Sequence, residues 1–227
     1  MSEKTSTTGT VEEYLEAILN IVSEGKRVLG ARLAERLNVS PPTVTATLKR
    51  MIRDGLVSSG RKEGVLLTEK GMKLAVGVVR RHRISEVFLT DILKIPWHET
   101  HQEACLFEHA ISEKVMNRLY EVLGKPATCP HGNPIPTDNF LPSIHGVPLN
   151  TIDTGTTVVV ERISEEANRQ LDLMRYFKQT GIKPGATIMV KQVADYAGTI
   201  LLSVGKKSIS LSLKAAAMVW VIKSDNF

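Results

Sequence analysis

The stretch "GARLAERLNVSPPTVTATLKRMIRDG", residues 30–55, decides the fold of the N-terminal part of the chain. Leu33 and Leu37 have the spacing of one helix face, and the polar segment "NVS" then interrupts this pattern. Ser40 precedes two prolines, which is typical of a helix N-cap followed by the first helical turn. Apolar residues again recur with helical spacing until Gly55. The stretch therefore predicts two helices joined by a tight turn.

The segments on either side complete a motif. Residues 10–23 have the apolar periodicity of another helix. Residues 56–71, "LVSSGRKEGVLLTEKG", contain two short β-like runs around a charged, glycine-containing turn, which predicts a hairpin. A helix, a turn, a second helix and a hairpin in this order form the winged helix-turn-helix pattern. The second helix of that motif enters the major groove of DNA.

Positive charge is concentrated in the same region. Residues 25–62 contain nine basic and two acidic residues, whereas the whole chain has a net charge of only +5. Such a local excess is typical of a surface that binds a polyanion, although a solvated helix face is the simpler explanation of charge alone. Together with the predicted motif, the charge favours double-stranded DNA as the partner.

The side chains expected to face DNA suggest how it is read. Pro42 and Ala46 offer only apolar contacts, which suit thymine methyl groups. No Arg, Asn or Gln lies early in the helix to read a base bidentately, so DNA shape is expected to supply much of the specificity. The predicted DNA-contacting residues are Arg32, Ser40, Pro42, Thr43, Thr45, Ala46, Lys49, Arg50, Arg53 and Arg61.

A second cluster lies in "HQEACLFEH", residues 101–109. In a helix predicted over 99–123, residues three and four apart share a face, which here carries His101, Cys105, Glu108 and His109. The preceding helix, predicted over 68–93, carries His82 and Glu86 at the same spacing. Imidazole, carboxylate and thiolate groups together suit a first-row divalent metal ion.

Each of these residues also has an ordinary explanation. A lone His is usually solvated or satisfied, and a lone internal Cys usually packs as a small apolar residue. A Cys–His pair can form a nucleophile, but a regular helix offers no evident oxyanion hole, and the H-E-x-x-H motif of metallohydrolases is absent. Because six candidate ligands occur in two adjacent helices, the sequence favours a metal site in a protein that is not an enzyme.

The C-terminal part follows a different period. Six prolines between 126 and 148 predict an extended linker or surface wrap, in which "CPHG" is taken as structural. "GNPIP" in this region is also a candidate intramolecular ligand of an SH3-like fold. After residue 150, five short β-like runs and one helix around 165–180 predict a small β-barrel or roll.

Composition limits the class of protein. The 227 residues suffice for two or three small domains, and no apolar run is long enough to span a membrane. The polar N-terminus and the two cysteines predict a cytoplasmic protein without a disulfide framework.

The chain resembles the DtxR/MntR family of metal-dependent transcriptional repressors in its three-domain form, which has a C-terminal SH3-like or FeoA-like domain. The similar segments are "TVEEYLEAI", the stretch over 30–57, "LTEKGMKLA", "RRHRISEVFL", "HQEACLFEH", "HGNPIP" and "LDLMRYFKQTGIKPGATIMV". The resemblance implies a mainly α fold with a small β domain. The expected domains are a winged helix-turn-helix over 1–75, a helical metal-binding and dimerisation domain over 76–142, and a linker with an SH3-like β-barrel over 143–227.

The resemblance also implies two metal sites per subunit. One site would be formed by Glu13, Cys105, Glu108 and His109. The other would be formed by His82, Glu86, His101 and a third-domain group, for which Asp172 is preferred and Gln170 is next. Glu13 with Glu16 resembles the manganese-type pattern, whereas Cys105 resembles the iron type, so Mn²⁺ or Fe²⁺ is expected.

The implied function is operator binding by a homodimer, activated by divalent metal and repressing metal-uptake genes, with no small-molecule substrate beyond metal ions. Glu13 is expected to be the contact through which the metal fixes the DNA-binding domain. Two alternatives stay open. One is a constitutive winged-helix protein with a purely structural metal, and the other is a metallohydrolase.

Overall fold

The computed structural model describes residues 9–60, 63–137 and 145–223. These residues form two compact units. The first contains the described residues up to His82 together with Pro136 and Thr137, and the second contains 83–135 and 145–223. No helix in the described ranges combines the length and apolar character that a bilayer span requires.

The first unit is the winged helix-turn-helix expected from the sequence. Its elements are α1 (Gly9–Ser23), α2 (Gly30–Leu37), α3 (Pro41–Arg53), β1 (Val57–Gly60), β2 (Gly64–Leu67) and the first part of α4 (Glu69–Asp91). The Ser40 hydroxyl accepts a 3.4 Å hydrogen bond from the Thr43 N–H, so Ser40 caps α3 as predicted. Strands β1 and β2 pair antiparallel and form the wing.

A single apolar core holds this unit together. Tyr14 and Ile18 of α1, Leu33 of α2 and Met51 of α3 are fully buried in it. The start of α4 packs closely against Leu56, the residue before β1: a Cβ at Gly71 would lie only 1.9 Å from the Leu56 carbonyl oxygen.

The helical part of the second unit corrects one prediction. In place of one helix over 99–123, the chain forms α5 (Thr100–Phe107) and α6 (Glu113–Val122). Ser112 caps α6 by accepting a 3.3 Å bond from the Val115 N–H, so a new helix begins there instead of continuing the first. Glu108 and His109 consequently lie beyond the end of α5.

The β part of the second unit is a six-stranded antiparallel sheet in the order β3-β8-β4-β5-β6-β7. Its elements are β3 (Val147–Pro148), β4 (Thr157–Ile163), α7 (Glu165–Asn168), α8 (Leu171–Thr180), β5 (Thr187–Ala194), β6 (Thr199–Val204), β7 (Lys207–Ser212), α9 (Leu213–Ala216) and β8 (Val219–Lys223). The five predicted β-like runs all form strands. The single helix predicted around 165–180 is two helices, since the chain leaves helical geometry at Gln170.

The segment 129–133, here called the CPHGN segment, lies in the region predicted to be an extended linker or surface wrap, but most of its side chains are buried. His131 and Asn133 are buried, and the backbone of the segment lies against β4. The Ile163 N–H donates to the His131 carbonyl at 2.8 Å, and the Asn133 amide donates to the Ile163 carbonyl at 2.9 Å. Gly132 makes this approach possible, because its φ is +84° and a Cβ there would lie 2.2 Å from the Glu161 carbonyl oxygen.

Candidate metal centre and DNA-binding surface

A buried group of three potential ligands joins α4 to the CPHGN segment. Glu86 projects from α4, and Cys129 and His131 come from the segment. Their ligand atoms all lie within 4.8 Å of one another. Glu86 and His131 have no exposed surface, and Cys129 has almost none. Carboxylate, thiolate and imidazole together form a donor set for a first-row divalent ion.

The hydrogen bonding of His131 shows that this group fits a cation. The Nε2 atom lies 2.8 Å from the Trp97 carbonyl oxygen, which can only accept, so Nε2 carries the hydrogen. In a neutral ring, Nδ1 then presents a lone pair, and it lies 3.1 Å from the Glu86 Oε1 atom. Two acceptors at this distance need a proton or a metal ion between them. A ring N–H held by a carbonyl is also the usual arrangement behind a metal-bound His.

The surroundings oppose an uncompensated thiolate at Cys129. Burial raises the pKa of the Cys129 thiol well above its usual value, and the negative charges of Glu86 and Glu165 raise it further. The Arg83 guanidinium acts in the opposite direction. Since the thiolate is the form that binds metal, a cation bound here replaces the thiol proton.

His101 and Glu165 extend the group on its other side. The His101 Nδ1 atom lies 3.6 Å from Glu86 Oε1 and 3.9 Å from Glu165 Oε2. The Asn168 amide donates to Glu165 Oε2 at 3.2 Å. Glu86 thus faces both histidines. We call Glu86, His101, Cys129, His131 and Glu165 the Glu86 centre.

The structure places the two third-domain residues selected from the sequence away from the Glu86 centre. The Asp172 side chain is 98% exposed and pairs with Arg175 at 3.3 Å. The Gln170 amide contacts the Glu166 carbonyl and the Met218 sulfur. Neither residue belongs to the buried groups of potential ligands among the described residues, in which Glu165 takes this place. The reason is that α7 is a separate short helix, and it directs Glu165 inward.

Three further predicted ligands follow in the second unit. The Cys105 sulfur lies 3.8 Å from His101 Nε2, one turn away on α5. Glu108 is buried, and its Oε1 atom lies 3.4 Å from His109 Nε2. Cys105, Glu108 and His109 therefore continue the line of polar side chains that begins at His101.

The first unit places the α1 candidates differently from the prediction. His82 is buried, and its ligand atom lies within 4.8 Å of that of Glu16. Glu13, which was preferred, is exposed. Its neighbour Glu12 forms a 3.1 Å ion pair with Arg81. In this structure Glu16 is thus the α1 carboxylate next to a candidate ligand, because it is closer to the buried face of the helix.

The predicted DNA-contacting residues on α3 and at its cap are exposed. Those of α3 that are exposed are Pro42, Thr43, Thr45, Ala46, Lys49, Arg50 and Arg53, with Ser40 at the cap. Arg32 on α2 is partly buried, and its guanidinium donates to the Arg27 carbonyl. Arg61, predicted in the wing, lies outside the described residues.

Several of these side chains also stabilise α3. The hydroxyls of Thr43 and Ser40 are 2.8 Å apart, and the Thr45 hydroxyl donates to the Pro41 carbonyl at 3.0 Å. Arg53 pairs with Asp54 at 3.0 Å. Lys49 and Arg50 add exposed positive charge along the same helix, which suits phosphate contacts.

Comparison with known proteins agrees with this arrangement. Three family models match consecutive parts of the chain: the iron dependent repressor N-terminal DNA binding domain over 6–65, the iron dependent repressor metal binding and dimerisation domain over 68–137, and the FeoA domain over 147–223. The iron-dependent repressor IdeR of Mycobacterium leprae is 38% identical over 224 residues, which cover 94% of this chain and 97% of that protein. The chain belongs to the iron-dependent repressor family.

Other family members and solved structures show the same breadth of match. The diphtheria toxin repressor of Corynebacterium diphtheriae is 37% identical over 210 residues, covering 89% of this chain and 92% of that protein. A manganese-dependent transcriptional repressor in complex with manganese superposes with a TM-score of 0.85 at 32% identity, covering 94% of this chain and 99% of that one. The structure of ScaR with bound Zn²⁺ gives 0.82 at 30% identity, with coverages of 94% and 99%.

The family assignment places the Glu86 centre in named domains. Glu86, His101, Cys129 and His131 lie in the part matched to the iron dependent repressor metal binding and dimerisation domain, and Glu165 lies in the FeoA match. Cys129, His131 and Glu165, which the structure places among the potential ligands, were not among the ligands predicted from the sequence. The C-x-H spacing in "CPHG" was the available signal for the first two, but proline-rich surroundings made it look structural.

Proposed function

We propose that this member of the iron-dependent repressor family represses transcription of metal-uptake genes by binding a duplex operator as a homodimer when Mn²⁺ or Fe²⁺ occupies its metal sites. The observation that carries the proposal is the buried His131 Nδ1 atom, which faces the Glu86 carboxylate beside the Cys129 thiol. The names of the relatives, which include iron-dependent and manganese-dependent repressors, support the same function.

The donor set agrees with either metal. The carboxylates of Glu86 and Glu165 are hard ligands that suit Mn²⁺, whereas a Cys129 thiolate favours Fe²⁺. When bound, the ion supplies positive charge that pulls these side chains together. We infer that Glu86, His101, Cys129, His131 and Glu165 form one site. Cys105, Glu108 and His109 are the candidate ligands of a second site in the second unit, and Glu16 and His82 are further candidate ligands in the first unit.

The proposed mechanism follows from where these residues lie. Glu86 is on α4, Cys129 and His131 are in the CPHGN segment, and Glu165 is on α7. Holding them together restricts the motion of three elements at once. A ligand that binds the restricted state more tightly shifts the population toward that state. We propose that in this state the two α3 helices of a dimer are about 34 Å apart, which is the distance between two half-sites one helical turn apart on DNA.

The first experiment tests metal dependence. A duplex selected from a randomised pool in the presence of Mn(II) is titrated with the protein at fixed salt, with Mn(II), with anaerobic Fe(II) or with EDTA. We expect binding to be about 10- to 100-fold tighter with metal than with EDTA, as is usual for coupled sites. Fixed salt is essential, because phosphate contacts make affinity strongly salt-dependent.

The same experiment separates the alternatives. Equal affinity with metal and with EDTA would support a constitutive DNA-binding protein whose metal is structural. Metal-dependent hydrolysis of a generic phosphoester such as p-nitrophenyl phosphate, lost with chelator, would support a metallohydrolase.

We further propose that an apolar groove between α4 and α5 is the dimer interface. Phe88 and Phe107 stack with their ring centres 5.9 Å apart. Leu93 and Leu106 line the same groove, and Leu106 is 75% exposed. Exposed apolar side chains in a continuous patch are typical of association surfaces. A second copy is the proposed occupant, since the groove lies within the match to the metal binding and dimerisation domain.

Replacing Leu106 by glutamate is expected to shift the protein from dimer to monomer, because a charge would be buried between two apolar faces. Sedimentation velocity over a range of concentrations measures the shift, and operator binding should weaken with it. Val122→Glu is the matched control, since Val122 is also 67% exposed but lies on α6 outside the groove. A Leu106→Glu protein that stays dimeric would place the interface elsewhere.

A further inference from the structure

Arg83 is a buried cation that contacts two elements around the Glu86 centre. It lies on α4, three residues before Glu86, and it is almost completely buried. Its Nη2 and Nε atoms lie 3.2 and 3.3 Å from Glu165 Oε1. Its Nη1 atom donates to the carbonyl of Pro134, directly after the CPHGN segment. One guanidinium thus connects the three elements that supply Glu86, Cys129 with His131, and Glu165.

The charges of the loaded centre require such a cation. Glu86, Glu165 and a Cys129 thiolate carry three negative charges, and the two histidines bind metal as neutral rings. A divalent ion leaves one negative charge uncompensated. Net charge in a fully buried site is costly, because the interior solvates it poorly. The guanidinium of Arg83 brings the sum to zero.

We propose that Arg83 is a positioning and charge-balancing residue of the metal centre. It holds Glu165 and the CPHGN segment in place, and its charge makes the loaded centre neutral with a divalent ion. This inference rests on the proposed metal binding at the Glu86 centre. It adds that metal affinity and thiolate coordination depend on the charge of a residue that does not itself touch the metal.

A purely structural ion pair between Arg83 and Glu165 makes a different prediction. Its loss would lower the stability of the protein, but a variant that still folds would bind metal as the wild type does. The charge-balancing role instead affects the metal affinity of the folded protein. It also predicts that removing one charge of the pair is worse than removing both.

The test is a Co(II) titration of the full-length protein carrying Cys105→Ser, read from the thiolate-to-cobalt charge-transfer absorption and from competition with a chromophoric chelator. Cys129 is then the one remaining cysteine of the chain, so the absorption reports the Glu86 centre. This parent protein, which is otherwise wild type, should bind Co(II) and show the absorption band. Arg83→Met should bind about 10- to 100-fold more weakly, the usual range for loss of a supporting residue behind a metal ligand, with a weaker band. Arg83→Lys keeps the charge but not the full set of guanidinium contacts, so its affinity should lie between those of Arg83→Met and the parent protein. Arg80→Met, on the same helix, is the control, because Arg80 contacts the Pro136 carbonyl within the first unit.

The double variant Arg83→Met/Glu165→Gln gives the sharpest result. Glu86 and the Cys129 thiolate then balance a divalent ion, so the double variant should bind Co(II) more tightly than Arg83→Met despite its weaker ligand at position 165. Because both partners of the ion pair are removed, no carboxylate at position 165 is left buried without its partner, and the double variant avoids the loss of stability that such a charge causes. Wild-type affinity in Arg83→Met would overturn the proposal, and so would a double variant that is weaker than Arg83→Met. A wild-type protein that fails to bind Co(II) or Mn(II) at all would instead overturn the proposed function.

Discussion

Glu86→Gln is expected to lower the affinity for Mn(II) by about 100-fold or more, at or beyond the upper end of the effect of losing a supporting residue behind a metal ligand. Glu86 lies 3.6 Å from His101 Nδ1 and 3.1 Å from His131 Nδ1, so one carboxylate serves both sides of the centre. Glutamine has the same size but no charge, and it therefore removes the attraction for the ion with little change in packing.

Isothermal titration calorimetry with Mn(II) measures this loss directly. Thermal unfolding provides a second readout, because a ligand that binds only the folded state raises the unfolding temperature. Mn(II) should raise the unfolding temperature of Glu86→Gln less than that of the wild type, because the contribution of the Glu86 centre is lost and only that of the second proposed site remains. Glu121→Gln serves as the control. Glu121 is exposed on α6, and its Oε1 atom forms an ion pair with Lys125 Nζ at 3.3 Å. If Glu86→Gln binds Mn(II) like this control, the Glu86 centre is not the metal site.

Gly132→Ala is expected to disrupt the CPHGN segment and the metal centre together. The new Cβ would lie 2.2 Å from the Glu161 carbonyl oxygen and 2.9 Å from the Arg162 Cα, both of which are backbone atoms of β4. The positive φ of +84° adds further strain. The unfavourable φ and the overpacking together should cost about 2–4 kcal/mol. The segment can avoid this cost only by moving away from β4, and Cys129 and His131 would move with it.

Gly155→Ala separates the two sources of strain. Gly155 has a similar φ of +86°, but no atom lies within 4 Å of the position of its Cβ. It should therefore show the smaller cost of the backbone conformation and bind Mn(II) like the wild type. Chemical denaturation gives the difference in stability. Co(II) absorption, measured with Cys105→Ser present so that Cys129 is the one remaining cysteine, reports whether the Cys129 thiolate still binds. Normal thiolate absorption in Gly132→Ala would show that the segment tolerates the displacement and does not position the ligand.

Secondary-structure elements were predicted correctly where a periodic pattern of residues lies within one helix or strand. Helical spacing identified α1 to α4 and the winged motif, and short β-like runs identified β4 to β8, but not β3. His82 and Glu86 were found for the same reason, since both lie on one turn-spaced face of α4. The prediction over 99–123 was wrong because Ser112 starts a new helix, and local capping can interrupt an apolar period that continues beyond it.

The amino-acid sequence by itself determined the winged motif, its positive charge, strands β4 to β8 and the presence of candidate metal ligands on α4 and α5. Tertiary structure alone decided which residues meet at the Glu86 centre. Cys129 and His131 come from a segment without periodicity, and Asn133 is fixed by a bond to Ile163, 30 residues away. Likewise, the side chain of Glu165 and not that of Asp172 lies at this centre because α7 directs Glu165 inward. The physical reason is that burial and charge at this centre arise from contacts between distant segments, and no local pattern records which distant backbone a proline-rich segment will pack against.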